Sequence, residues 1–98
     1  MRWIEAELHR LRGELLLTVP ENDQTEVETC FVRALTVARE QGARLWELRA
    51  ATSLARAWSG REKRSEGRDL LGSVYGWFTE GFDTPDLREA RELLDALQ

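Results

Sequence analysis

The residues able to do chemistry are scattered rather than gathered. His9, the one histidine, has Glu5 a turn before it and Glu14 on the following turn, a setting in which an imidazole can move a proton or hold a metal weakly. A usual zinc site needs paired imidazoles or a set of thiolates, and one histidine with one cysteine supplies neither. His9 is therefore expected in a surface or interhelical hydrogen bond. Cys30, beside Phe31, reads as a small buried or half-buried hydrophobe rather than a nucleophile, and a single cysteine forms no internal disulfide. No G-x-S-x-G surrounds Ser53, Ser59, Ser65 or Ser73, so no hydrolase elbow is expected. The only lysine, Lys63, lacks the glycines of a phosphate-cradling loop. The sequence thus offers no catalytic residue, no cofactor site and no metal site, and a non-enzymatic protein is expected.

Composition bounds the class. A chain of 98 residues makes one domain with a single modest core. Its hydrophobic fraction of 42% and charged fraction of 33% are those of a globular protein that folds in water. No apolar run approaches the roughly 18 residues of a bilayer span, and "MRWIEAELHR" lacks the apolar centre of a signal peptide. No membrane partner and a cytoplasmic location are expected. The net charge of −4 argues against a nucleic-acid partner, because phosphate affinity rests on surplus Lys and Arg. In "REKRSEGR" the basic residues are offset by Glu62 and Glu66, the pattern of a solvated turn.

The elements that must position any surface are helices. Ile4, Leu8, Leu11 and Leu15 make one stripe of a first helix over about 3 to 18, ending before Pro20. "PENDQTE" is loop chemistry, with capping-box spacing at Asp23 and Glu26 or at Thr25 and Glu28. Val27, Phe31, Ala34, Leu35 and Ala38 form the buried stripe of a second helix, stopped by Gly42. A third, over about 44 to 59, is apolar around much of its circumference and belongs at the centre. A fourth carries Leu70, Leu71, Val74 and Phe78, is weakened by Gly72 and Gly76, and runs on toward Gly81. A fifth starts with Thr84 as cap and Pro85 in the first turn, and Leu87, Ala90, Leu94 and Leu97 give it the single apolar face of a lid. Trp58 is expected in the core, and Trp3, Trp46 and Trp77 at core margins or interfaces.

The first four helices pair into two hairpins, at about 3 to 41 and 44 to 79, and the hairpins align. With Gly13 over Ala55, Leu16 falls over Trp58; Val27, Phe31 and Ala34 fall over Gly67, Leu71 and Val74. A small residue, a large one a turn later, and small-x-x-x-aromatic in the next helix, read here as "GELL…VETCFVRA" and "ARAW…GRDLLGSV", resembles the tetratricopeptide repeat. Leu71 stands where an aromatic is usual and Val74 where a small residue is usual. The fold expected is all-α: two tetratricopeptide-like antiparallel hairpins followed by a capping helix at about 85 to 97. "RWIEAELHRLRGELLL", "CFVRALTVAREQGARLWELRAATSLARAW" and "LLGSVYGWFTEGFDTPDLREARELL" look like the C-terminal helical-repeat tail of large bacterial signalling proteins, where the tail follows a predicted ATPase domain, often with a class III nucleotide cyclase or a DNA-binding domain upstream. The resemblance implies a detached tail, and none of that family's ATPase or cyclase residues carries over to a position here.

Two surfaces follow. In tetratricopeptide-like stacks the first helix of each hairpin lines the concave side, which would gather Glu7, Arg10 and Glu14 with Arg49, Thr52 and Arg56. The three guanidinium groups either converge on a peptide carboxylate or are neutralised by Glu7, Glu14 and Glu47 as ordinary ion pairs. The second surface is the N-terminal end, where no polar cap covers Trp3, Ile4, Leu15, Leu16 and Leu17, so a homodimer through the first hairpin is expected. The function expected is a non-catalytic protein or peptide interaction module or scaffold. The alternatives are a regulatory tail acting on an ATPase or nucleotide cyclase and, on the acidic balance the weakest, a small nucleic-acid binder. Gly13 is expected where the second helix crosses closely, near Phe31 or Ala34, and Ala55 near Leu71 or Val74.

Overall fold

Five helices, with no strand among the described residues, make up the computed structural model, which describes residues 3 to 59, 63 to 78 and 84 to 97, of Trp3 the backbone alone. They are α1 (Trp3–Leu17), α2 (Gln24–Glu40), α3 (Arg44–Ser59), α4 (Arg64–Tyr75) and α5 (Pro85–Leu97). The all-α fold of five helices expected from periodicity is the fold observed.

Local chemistry fixes the boundaries. Between the two capping boxes the structure selects Asp23, whose carboxylate accepts from the Thr25 N–H at 2.9 Å and so satisfies one of the free donors of the first turn of α2. Glu26 does not reach back to close the box; it takes Arg12 of α1 at 3.3 Å. At the other end Gly42 has φ +64, the left-handed region that a Cβ disfavours. Its N–H donates to Arg39 and that of Ala43 to Ala38 at 2.9 Å, which closes the last turn as a Schellman motif and launches α3 at once. Helix α4 is shorter than its apolar pattern suggests. It ends at Tyr75, and Trp77 and Phe78 follow in a turn whose amides donate to Val74 and Tyr75. Glycines at 72 and 76 lower the helix preference of that segment, and the expected end at Gly81 lies outside the described residues. The Arg88 N–H donates to the carbonyl of Thr84 at 3.0 Å, the first bond of α5, with Pro85 in the position where no donor is missed.

Packing repeats with the hairpin. Helix α3 rests on both α1 and α2, and α5 rests in the same way on both α3 and α4. The result is a slab of 39 × 35 × 19 Å, about two helix diameters thick, with α1, α3 and α5 in one layer and α2 and α4 in the other. Phe31, Leu48, Leu54, Leu71 and Val74 are fully buried. Burying each such side chain stabilises the fold by roughly 1.5–3 kcal/mol before chain entropy is set against it. The four apolar residues of α5 complete the cluster that holds Leu48, Ala51 and Leu71, so this helix covers α3 and α4 as a lid. Arg64 donates to the carbonyl oxygens of Ala96 and Leu97, satisfying the C-terminal end of α5 from the start of α4.

Two glycines set the helix spacing. A Cβ at Gly13 would stand 2.6 Å from Cε1 of Phe31, the contact expected from the repeat pattern. In the second hairpin the close approach falls one turn earlier than expected. Ala55 shares its cluster with Leu71 and Val74, but the tightest fit is to Gly67, where a Cβ would lie 3.2 Å from the Ala55 Cα. The first stripe faces outward. Ile4, Leu8, Leu11 and Leu15 point away from the rest of the described chain, because α1 packs through Ala6, Gly13 and Leu16 instead. Among the described residues no helix is long and apolar enough to cross a membrane.

Candidate functional site

The side shared by α1, α3 and α5 brings together the residues expected on the concave face of such a stack. The Arg10 guanidinium donates through Nε and Nη2 to the two oxygens of Glu7, at 2.7 and 3.1 Å, a bidentate pair within α1. Arg49 of α3 reaches the same Glu7 at 2.7 Å and Asp86 of α5 at 3.6 Å. Arg56 is bound to Glu89 of α5, and Ser53 donates to Glu14 at 2.7 Å. Thr52 turns its hydroxyl back to the Leu48 carbonyl at 2.8 Å and offers nothing to a ligand. Burial disfavours the Arg10 charge, but the hydrogen bond and charge of Glu7, with Glu14 and Asp86, outweigh it and raise its pKa above the ordinary value.

Three guanidinium groups therefore meet four carboxylates. Between them lies a cavity of about 60 Å³, lined on every side by groups that already hold one another. Chemically this arrangement ties α1, α3 and α5 together. Glu47, one of the carboxylates expected to neutralise the arginines, is absent from the network. It is buried at the start of α3 and bound by Arg39 of α2 at 2.7 Å. Asp86, expected only at the positive dipole end of the fifth helix, and Glu89 take its place. The signal for them is their spacing of three, which sets Asp86 in the first turn and Glu89 in the next on a single edge of an amphipathic helix.

The other expected chemistry stays dispersed. His9 lies 3.9 Å from Glu5 on the α1 surface, and Cys30 is buried. Among the described residues no three of His, Cys, Asp and Glu are grouped as a metal would require. No family model matches the chain, and neither does any curated protein or solved structure.

The N-terminal face has the more unusual geometry. Ile4, Leu8, Leu11 and Leu15 are 51, 62, 47 and 69% exposed, four large apolar side chains in one line on a single helix. Of the residues expected there, Ile4 and Leu15 belong to the line and Leu17 is exposed at the helix end. Leu16 faces the opposite way, into the cluster of Val27, Phe31 and Leu54, and the Trp3 side chain lies outside the described residues. Leu8 and Leu11 were the residues missed. On the hairpin alignment Ile4, Leu8 and Leu15 correspond to Trp46, Ala50 and Ala57 of α3. Trp46 packs with Val37 and Ala38, Ala50 lies in the cluster that holds Ala34 and Leu35, and Ala57 packs with Val27 and Phe31. In α3, then, these register positions seat the helix on α2 of the preceding hairpin; in α1 the same positions face outward.

Proposed function

We propose that this chain is a non-catalytic protein–protein interaction module of tetratricopeptide-like type, a cytoplasmic scaffold whose working contact is the outer face of α1. The observation that carries the reading is the register just described: the positions by which α3 sits on a preceding helix, Trp46, Ala50 and Ala57, are in α1 the exposed Ile4, Leu8 and Leu15, and Leu11, aligned with Ser53, completes the exposed line. A line of apolar side chains that long on a small domain marks a contact surface for another helix. The concave arginines support a structural role instead, since Glu7, Glu14, Asp86 and Glu89 already engage them. A regulatory tail that modulates an ATPase or nucleotide cyclase would use the same α1 face, so that reading is a special case of this one. The acidic balance of the chain speaks against nucleic acid.

The test is a photo-crosslinking amino acid placed at position 8 and, separately, at position 88 on the polar outer side of α5, in cells that make the protein. Protein adducts from position 8 and none from position 88 are expected. No adduct from position 8, or equal yields from both, would remove the α1 face as the contact surface.

A further inference from the structure

We infer that the occupant of the α1 outer face is a second copy of this chain, docked as an antiparallel α1 pair about a two-fold axis. The inference rests on the reading of that face as the contact surface and adds what fills it.

Ile4, Leu8, Leu11 and Leu15 follow the alternating spacing of four and three that forms the seam of a coiled pair of helices. The residues flanking such a seam decide orientation. On one flank stand Glu5 and Arg12, both solvent-accessible, at 45 and 61%. On the other stand Glu7 and Glu14, which turn toward α3 and are held there by Arg10, Arg49 and Ser53. In an antiparallel pair Leu8 lies opposite Leu11 of the second copy and Ile4 opposite its Leu15. The same register sets Glu5 beside Arg12 of the second copy, and the two-fold axis repeats that contact at the other end. A parallel pair would instead need Glu7 to meet Arg12 across the seam, and Glu7 is only 14% exposed and held by both Arg10 and Arg49; Glu5 and Arg12 also have partners within the chain, His9 at 3.9 Å and Glu26 at 3.3 Å, but lie far more in solvent. Opposed helix dipoles favour the antiparallel arrangement as well.

At the far end of the slab α5 shows Arg88, Glu89, Arg91, Glu92 and Asp95 to solvent, a charged surface that matches an apolar stripe less well than the stripe matches itself. A face that meets its own copy about a two-fold axis gives a closed dimer rather than a filament. The seam runs for about 16 Å along the helix. It is smaller than a standard interface of roughly 800 Å² per partner, so association in the micromolar range is expected.

Sedimentation equilibrium of the full chain tests this, with circular dichroism and the melting transition followed for every variant because Arg12 also binds Glu26. The wild type is expected to dimerise reversibly, and Leu8→Glu to give a folded monomer. Glu5→Arg and Arg12→Glu should each weaken the dimer about tenfold, since each reversal acts at both symmetric contacts, and the double reversal should restore most of the loss. A dimer lost in Leu8→Glu but indifferent to the single reversals, or not restored by the double, would overturn the antiparallel register. A wild type that stays monomeric at hundreds of micromolar would overturn the second copy as occupant while leaving the crosslinking test of the α1 face intact. A dimer that survives Leu8→Glu would overturn both.

Discussion

Phe31 fills the space in which a side chain at Gly13 would stand: a Cβ there would lie 2.6 Å from Cε1 and 2.9 Å from both Cδ1 and Cζ of the ring. Phe31 is fully buried, so its ring has no free volume into which to retreat. Alanine would favour the helix by roughly 1 kcal/mol at an open site. At position 13 the clash is the larger effect, and Gly13→Ala is expected to destabilise by about 1–2 kcal/mol, with Gly13→Leu costing more. Equilibrium denaturation in urea reads the loss directly. If the ring is the obstacle, Phe31→Leu will shrink the penalty of Gly13→Ala in a double-mutant cycle. An additive cycle would move the explanation elsewhere.

The contact also explains which part of the first helix was legible and which was not. At about 100° per residue, Leu11 and Leu15 lie roughly 200° from Gly13, and Ile4 about 180°. Once Gly13 meets Phe31, the stripe must face away from α2. The sequence carries both the glycine contact and the stripe, and the angle between them on the helix sets which way the stripe faces. Periodicity alone finds a stripe and not its direction, because an apolar face meant for a partner has the same spacing as one meant for the core. The buried faces of α2 and α5 are legible because each has one dense apolar face, and the central place of α3 because it is apolar around much of its circumference, with strong end signals at Asp23, Gly42 and Pro85. On the concave side, Glu7, Arg10, Glu14, Arg49 and Arg56 were placed together from the repeat alignment. Their neutralisation by Asp86 and Glu89 depends on how α5 docks, a tertiary relation that no local pattern carries.

Adjacent leucines should respond in opposite ways. Leu15 is exposed, while Leu16 packs against the cluster of Val27, Phe31 and Leu54. Leu15→Gln is expected to change monomer stability by less than about 0.5 kcal/mol, as for an ordinary surface position. Leu16→Gln puts an amide against apolar side chains and is expected to cost about 2 kcal/mol. Thermal melts at low micromolar concentration, where any dimer contributes little, separate the two. Equal losses would mean that α1 sits in a different rotation about its axis.

Two further glycines make a matched pair with opposite signs. A Cβ at Gly72 would meet nothing nearer than Leu94 Cδ2 at 3.9 Å, and the residue lies inside α4. Gly72→Ala should therefore stabilise by about 0.5–1 kcal/mol through lower unfolded-state entropy and better helix preference. Gly42 has open space around it but a φ of +64. Gly42→Ala should cost about 1 kcal/mol from the backbone alone, and Gly42→Asn less, because Asn tolerates the left-handed region. Chemical denaturation of the three variants against wild type suffices. A stabilising Gly42→Ala would show that the Schellman turn after α2 is not kept in solution.

Arg49 joins three helices with one side chain, pairing with Glu7 of α1 and Asp86 of α5 from its place on α3, and its guanidinium lies 5.0 Å from the centre of the Trp46 ring. Methionine at 49 keeps the stem that covers the neighbouring surface and removes only the charge. The pairs are partly exposed, so the loss is expected to be modest, about 1 kcal/mol at low salt. It should narrow near 1 M salt, where screening acts over about 3 Å. Reversal in Arg49→Glu places a third acid against Glu7 and Asp86 and should cost distinctly more. Hydrogen exchange locates the effect: amides in the first two turns of α5 should lose protection in Arg49→Met, because Asp86, beside Glu89, is one of that helix's two ionic ties to α3. Unchanged exchange in α5 with a lower melting temperature would place the energetic weight of Arg49 on α1 alone, through Glu7. That outcome would make the concave network a device for holding the first helix, the one that carries the outward stripe.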